Sequence, residues 1–115
     1  MIKNAYDMIS EIKHQMRDGK GSVELTHIFK QDELKGKARL IARITINSGC
    51  SIGLHEHVAE EEIFYIINGK GIINDNGIER EVSAGDAVLT GDGASHSIEN
   101  KENVPLILLA VILVY

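Results

Sequence analysis

The most informative part of the sequence is Gly49-Cys50-Ser51-Ile52-Gly53-Leu54-His55-Glu56-His57, which ends in two histidines separated by one residue. Residues two apart on a β-strand point to the same side, so both imidazoles can grip one ion. Glu62 follows across a short loop, and His96 follows a glycine-rich turn that begins at Gly91. Three imidazoles and one carboxylate form a donor set that suits Mn, Fe, Ni, Zn or Co. The pattern therefore indicates a site for one divalent metal ion at His55, His57, Glu62 and His96.

These residues also have simpler interpretations. His55 and His57 could be polar side chains on an edge strand. The run Glu60-Glu61-Glu62 could be a solvated stretch of charge. If one of these glutamates is a ligand, we prefer Glu62, because it begins a strand that reads as buried. Four protein ligands on an octahedral ion would leave two adjacent positions for water, dioxygen or a bidentate acid.

Composition limits the other classes of function. The chain has 115 residues, a net charge of −5 and only 4% aromatic residues. Without a basic cluster, no nucleic-acid partner is expected. The longest apolar run, Leu106 to Tyr115, is about half the length of a membrane span, and the N-terminus lacks the apolar region of a signal peptide. We therefore expect no membrane partner and a cytoplasmic location, in which the lone Cys50 is a small filler and not a nucleophile.

Short apolar runs at regular spacing, separated by glycine or asparagine, predict an all-β sandwich or barrel. From Ala38 to Asn47 the even-numbered positions are apolar, whereas Arg39, Arg43 and Thr45 take the other face. Asn76-Gly77 between two such runs predicts a tight hairpin. Residues 2–16 instead carry apolar side chains at helical spacing and predict a short amphipathic helix. We divide the chain into an N-terminal segment, residues 1–21, helical or irregular, and a barrel domain, residues 22–115.

The spacing of the site residues resembles the two sequence motifs of the cupin family. The first motif, G-x5-H-x-H-x4-E-x6-G, matches at Gly49, His55, His57, Glu62 and Gly69, and the second, G-x5-P-x-G-x2-H-x3-N, at Gly85, Gly93, His96 and Asn100. The one departure is Gly91, which stands at the proline position. The stretches 51–55, 61–65 and 96–100 also resemble those of small single-domain bacterial cupins of the oxalate decarboxylase-like kind. This resemblance implies a jelly-roll barrel, also called a double-stranded β-helix, with one divalent ion. Mn and Fe are the first candidates for that ion, and Zn, Ni and Co are the alternatives.

The resemblance implies a binding site for a small molecule, and it leaves two kinds of function open. We expect a metal-dependent enzyme, a decarboxylase, dioxygenase or isomerase, that acts on a small carboxylate or hydroxylated metabolite. The alternative is a cupin that binds or senses such a molecule without turnover. A decarboxylase needs a proton donor near the metal. Glu56, Glu60 and Glu61 are loop candidates, but the sequence assigns no catalytic residue, and it gives His14 and His27 no spaced partner, so we interpret both as structural.

The C-terminal run from Leu106 to Val114 is apolar on both faces. A barrel strand normally shows one face to water. Either the expected N-terminal helix or a second subunit would cover the outer face, and we expect a homodimer.

Overall fold

The computed structural model describes residues 1–115 and consists mostly of antiparallel strands. The strands are β1 (Ile9–His14), β2 (Ser22–His27), β3 (Ala38–Ile46), β4 (Ser51–Glu56), β5 (Glu60–Asn68), β6 (Lys70–Asp75), β7 (Ile78–Ser83), β8 (Ala87–Gly91), β9 (Ser95–Glu99) and β10 (Leu106–Val114). Three single-turn 3₁₀ helices lie at Ala5–Asp7, Met16–Asp18 and Gln31–Glu33. The prediction of an all-β chain is confirmed, and no helix is long and apolar enough to cross a membrane.

The strands form two sheets that face each other across the core. The larger sheet has the order β1-β2-β3-β10-β5-β8, and the smaller has the order β4-β9-β6-β7. From β3 onward the chain passes repeatedly from one sheet to the other, which is the jelly-roll arrangement. This crossing places β4 and β9 opposite β5, so inward side chains of the three strands meet inside the molecule. The largest side chains enclosed between the sheets are Phe64, Ile44, Ile46, Ile52, Ile66, Ile73, Ile98, Leu106 and Leu108.

Two local predictions are confirmed. On β3, Ala42, Ile44 and Ile46 are buried, whereas Arg43 is exposed. Asn76 and Gly77 connect β6 to β7 with φ values of 50° and 96°. Both lie in the left-handed region that this kind of hairpin turn requires.

The predicted face of Arg39 is wrong because of a β-bulge. Ile112 of β10 pairs with Leu40, but the next residue, Leu113, pairs with Ala38, which leaves Arg39 as the extra residue. A bulge breaks the alternation of faces and redirects the side chain of the inserted residue. Arg39 consequently lines the interior cavity, together with Leu40 and Ile112, and not the outer face that simple alternation predicts.

The predicted helix over residues 2–16 is also wrong. The only helical turn before β1 is the 3₁₀ helix at Ala5–Asp7, and the chain then enters β1, which pairs with β2 from Ile9–His27 to His14–Ser22. A helix this short is marginal on its own and needs an apolar surface to pack against. Pairing with β2 supplies the hydrogen-bond partners of this backbone instead, while Ile9 and Ile12 remain 54% and 52% exposed.

Candidate metal centre

Four side chains from two facing sheets converge on one point inside the barrel. Their nitrogen and oxygen atoms all lie within 4.8 Å of one another. Nε2 of His96 lies 3.0 Å from Nε2 of His55 and 3.1 Å from Nε2 of His57. Oε1 of Glu62 lies 2.9 Å from His96 Nε2, 3.0 Å from His57 Nε2 and 3.9 Å from His55 Nε2. The structure thus brings together all four residues that the sequence pattern selected.

The strands explain this convergence. His55 on β4 pairs directly with His96 on β9, and Glu62 faces them from β5. His57 lies just after β4, in a loop held to the β8–β9 turn by its own backbone, whose N–H donates to Ala94 O at 3.0 Å and whose carbonyl accepts from Gly93 N at 2.8 Å. Glu62, not Glu61, has the inward parity and is buried. The site is therefore built on strands and on a loop with fixed backbone.

The second ring nitrogens of the histidines have three different environments. Nδ1–H of His55 donates to the carbonyl oxygen of Gly53 at 2.7 Å. Nδ1–H of His57 donates to Oε2 of Glu60 at 2.5 Å. Nδ1 of His96 is buried without a protein partner, and its ring stacks on Phe64 with centroids 4.8 Å apart. Two of the three rings are thereby fixed with a lone pair on Nε2, directed at the common centre.

The charges at the centre are strongly coupled. Burial alone would raise the pKa of Glu62, but contacts with the imidazoles of His55, His57 and His96 outweigh it and lower the pKa below its usual range. Contact with Glu62 raises the pKa of His57, against the opposing effect of burial. Burial lowers the pKa of His96. The centre accordingly presents an ionised carboxylate to neighbouring imidazoles at neutral pH.

This donor set fits a divalent cation. Nitrogen lone pairs about 3 Å apart repel one another and the adjacent carboxylate unless a proton or a cation lies between them. His55 and His57 already hold their protons on Nδ1. Neutral imidazole nitrogens and a carboxylate oxygen are the ligands that first-row divalent metals accept. His55, His57, Glu62 and His96 can therefore hold one such ion.

The centre opens onto a cavity of about 710 Å³. That volume lies within the range of small-molecule sites. Its wall includes His55, His57 and Glu62 and continues through side chains of β1, β2 and the turn between them, namely Glu11, Lys13, His14, Gln15, Met16, Arg17, Leu25 and His27. Part of the N-terminal segment thus forms one wall of the cavity.

Three residues line the cavity although the sequence did not indicate a role for them there. His14 and His27 line the cavity. His14 also contacts Ser22 Oγ at 2.7 Å, and His27 lies 3.5 Å from Glu11. Arg39, at the bulge in β3, lines the cavity as well and contacts Glu60. None of these placements has a signal in a single sequence, since each depends on pairing between distant strands.

The turn between β1 and β2 is held unusually close to β4. Gln15, Arg17 and Asp18 all have positive φ, which is strained for residues other than glycine. A side chain at Gly53 would overlap the carbonyl oxygen of Arg17, and one at Gly19 would overlap that of Ser51. Two glycines therefore allow backbone to pack against backbone beside His55.

Comparison with known proteins agrees with this architecture. The sequence matches the family model of the cupin domain over residues 42–112, more than half of the chain. The chain belongs to the cupin family, and the predicted jelly-roll fold is confirmed.

Two relatives and one solved structure are especially similar. An oxalate-binding protein from Thermotoga maritima is 43% identical over 113 residues, which cover 98% of this chain and 93% of the relative. An uncharacterized protein from Methanocaldococcus jannaschii is 34% identical over 109 residues, covering 95% of this chain and 83% of the relative. The crystal structure of a protein from Thermotoga maritima described as a predicted oxalate decarboxylase has a TM-score of 0.95 and 43% identity, with complete coverage of both chains.

Proposed function

We propose that this protein binds one divalent metal ion through His55, His57, Glu62 and His96 and, through that ion, a small bidentate carboxylate of the oxalate class. The observation that carries the proposal is the convergence of three imidazole nitrogens and one carboxylate oxygen in the wall of a cavity. A six-coordinate ion with four protein ligands keeps two positions for a chelating acid. The oxalate-binding relative supports this class of ligand.

Mn and Fe remain our first candidates for the ion, with Zn, Ni and Co as alternatives. The imidazole and carboxylate donors accept all five, so geometry and availability select among them. The ion would act as a Lewis acid and as the anchor of the carboxylate, while the chain's own residues hold and orient it.

The cavity wall supports an anionic ligand. Lys13 is paired with Glu11 at 3.4 Å, and Arg39 is paired with Glu60 at 2.8 Å. Arg17 also lines the cavity but takes part in none of the ion pairs of the structure. Its strained backbone packs against Gly53 and the residue is exposed, so its guanidinium is available to pair with a carboxylate that enters the cavity.

The structure supports binding over decarboxylation. Both carboxylate oxygens of Glu60 are occupied, by Arg39 and His57, and the hydrogen bond from Arg39 lowers the pKa of Glu60 to about 2. Glu56 is exposed, and Glu61 lies on the outer parity of β5. None of the three is a proton donor aimed into the cavity.

Calorimetric titration of oxalate into ion-free and Mn²⁺-loaded protein tests the proposal. We expect binding only to the loaded protein, and weaker oxalate binding with unchanged Mn²⁺ affinity after Arg17→Met. Lys20→Met is the matched control, because Lys20 pairs with Glu99 and does not line the cavity. Equal oxalate binding with and without Mn²⁺ would contradict the proposal.

The enzyme that the sequence led us to expect first, a decarboxylase, dioxygenase or isomerase, becomes the second candidate; it is kept because His27 Nε2 lies 3.5 Å from the Glu11 carboxylate in the cavity wall. Such a pair can exchange a proton with a bound molecule. A turnover screen of Mn²⁺- and Fe²⁺-loaded protein with small acids tests this candidate. If the protein is an enzyme, the wild type should turn over a small acid, and His27→Ala should abolish turnover without abolishing oxalate binding.

We also propose that a second copy of the chain covers the outer face of the larger sheet. Ile41, Val111, Ile63 and Leu89 lie side by side in register across β3, β10, β5 and β8. Leu89 is 63% exposed, and the N-terminal helix that was the other expected cover does not form. A contiguous apolar row of this kind is typical of a subunit interface.

A further inference from the structure

The side of His57 that faces away from the common centre carries its own series of hydrogen bonds. Nδ1–H of His57 donates to Glu60 at 2.5 Å. Glu60 in turn accepts two hydrogen bonds from Arg39, from Nε at 2.9 Å and from an Nη at 2.8 Å. The bond to His57 uses the same Oε2 that faces the Arg39 Nη, so the three side chains form one continuous chain of contacts.

The β3 bulge is what makes this chain of contacts possible. Without the extra residue, Arg39 would point to the outer face, as the alternation of β3 predicts. With it, Leu40 pairs with Ile112 and Ala38 pairs with Leu113, and Arg39 lines the cavity and contacts Glu60. Bulges next to functional sites commonly redirect a single side chain in this way.

We propose that Arg39 and Glu60 are positioning residues, which hold the His57 ring in its Nδ1–H form and aim its Nε2 at the metal. The expected effect on metal affinity rests on the proposed function, whereas the contacts among Arg39, Glu60 and His57 do not depend on it. Arg39 makes a two-point contact, so it fixes the plane of the Glu60 carboxylate as well as its position. Glu60 then fixes both the tautomer and the rotation of the ring.

The other two histidines have no carboxylate hydrogen-bonded to Nδ1. His55 donates to a backbone carbonyl, that of Gly53, and His96 Nδ1 has no protein partner. His57 is the only ligand of the three that is hydrogen-bonded to a carboxylate at Nδ1. A carboxylate at this position also makes the imidazole a stronger donor to the metal. Disruption of the Arg39–Glu60 pair should therefore act on metal affinity through His57 alone.

Metal titration of four variants tests the consequence. Arg39→Met and Glu60→Ala should each lower Mn²⁺ affinity by roughly 10- to 100-fold, the range seen for partners of ligating histidines. Glu60→Gln should lower Mn²⁺ affinity less, because the amide oxygen of glutamine can still accept the hydrogen bond from Nδ1–H of His57. Arg43→Met is the control, since Arg43 lies on the same strand but is exposed on the outer face, and it should leave the affinity unchanged.

Nitrogen-15 NMR of the His57 ring in ion-free protein tests the geometry separately. We expect the Nδ1–H form in the wild type and in Arg43→Met, and a mixture of tautomers in Glu60→Ala. Unchanged tautomer and unchanged Mn²⁺ affinity in both Arg39→Met and Glu60→Ala would overturn the inference. A third result is that the wild type holds the Nδ1–H form, the Glu60→Ala variant does not, and neither protein binds Mn²⁺. That result would support the positioning role and contradict the proposed function.

Discussion

Replacement of His57 by alanine separates the metal site from the stability of the barrel. His57 is 2% exposed, and its Nε2 lies 3.1 Å from His96 and 3.0 Å from Glu62. A four-ligand zinc site in a protein is worth about 10–16 kcal/mol, or roughly 2.5–4 kcal/mol per ligand. Loss of one ligand should therefore weaken divalent metal binding by about 10²- to 10³-fold.

The fold should survive the same substitution. The backbone bonds of His57 to Gly93 and Ala94 do not involve its side chain, and the vacated space adjoins a cavity that is already open to water. The losses are the hydrogen bond to Glu60 and the packing of one ring, which together cost about 1–2 kcal/mol. For a domain of this size, that corresponds to a fall in Tm of roughly 4–12 °C in ion-free protein.

The assay is a calorimetric titration of Mn²⁺ into chelator-treated protein. Thermal unfolding of the same ion-free samples measures stability. His14→Ala is the matched control, because His14 lines the cavity but lies outside the cluster. It should bind Mn²⁺ as the wild type does. The reasoning is refuted if His57→Ala retains wild-type affinity, or if His14→Ala loses as much.

Three further predictions follow from separate features. Hydrogen bonds from Arg39 and, to a smaller extent, from His57 lower the pKa of Glu60 from 4.5 to about 2 against the opposing effect of burial, so these contacts stabilise ion-free protein above pH 4.5 and lose this effect as the pH falls toward 2. Arg39→Met should accordingly narrow the difference in Tm between pH 6 and pH 3, and an unaltered difference would count against the pair. Gly53→Ala should displace the Arg17 turn and cost about 2 kcal/mol or more in chemical denaturation, whereas Gly36→Ala, with open space around it, should cost far less. Val111→Glu should give a monomer in light scattering at micromolar concentration, while Ile78→Glu, exposed on β7, should leave the dimer intact.

Much of the site could be predicted from the sequence because its information is local. His55 and His57 are two residues apart, and the strand period alone puts them on one side. Glu62 has the parity of the buried residues Phe64 and Ile66 on β5, so its inward direction follows from its own strand. His96 required the motif spacing, since its pairing with His55 joins strands distant in sequence.

The remainder could not be predicted because it depends on pairing between strands. The bulge at Arg39 exists only in the register of β3 against β10. It reverses the face of one residue and leaves the apolar pattern of the strand unaltered. The helix predicted for the N-terminal segment was wrong for a related reason. Its apolar spacing suits a helix, but pairing with β2 supplied backbone partners that periodicity does not reveal.

The two wrong predictions concern residues that line the same cavity. Both β1 and the Arg39 bulge line the cavity, whereas the confirmed elements form the core between the sheets. A core is specified by the alternation of apolar side chains, which a sequence displays directly. A cavity wall is specified by turns, bulges and edge strands, which carry weak signals. Local rules commonly fail at functional sites for this reason.

The most direct test of the metal centre is a crystal structure of protein loaded with Mn²⁺, with diffraction recorded on both sides of the manganese absorption edge. We expect one anomalous peak per chain, bonded to Nε2 of His55, His57 and His96 and to a carboxylate oxygen of Glu62, at distances of about 2.0–2.3 Å. The His57 ring should keep its Nδ1–H contact with Glu60. A loaded crystal with no peak among these four side chains, or with its ion bound elsewhere on the chain, would contradict the account.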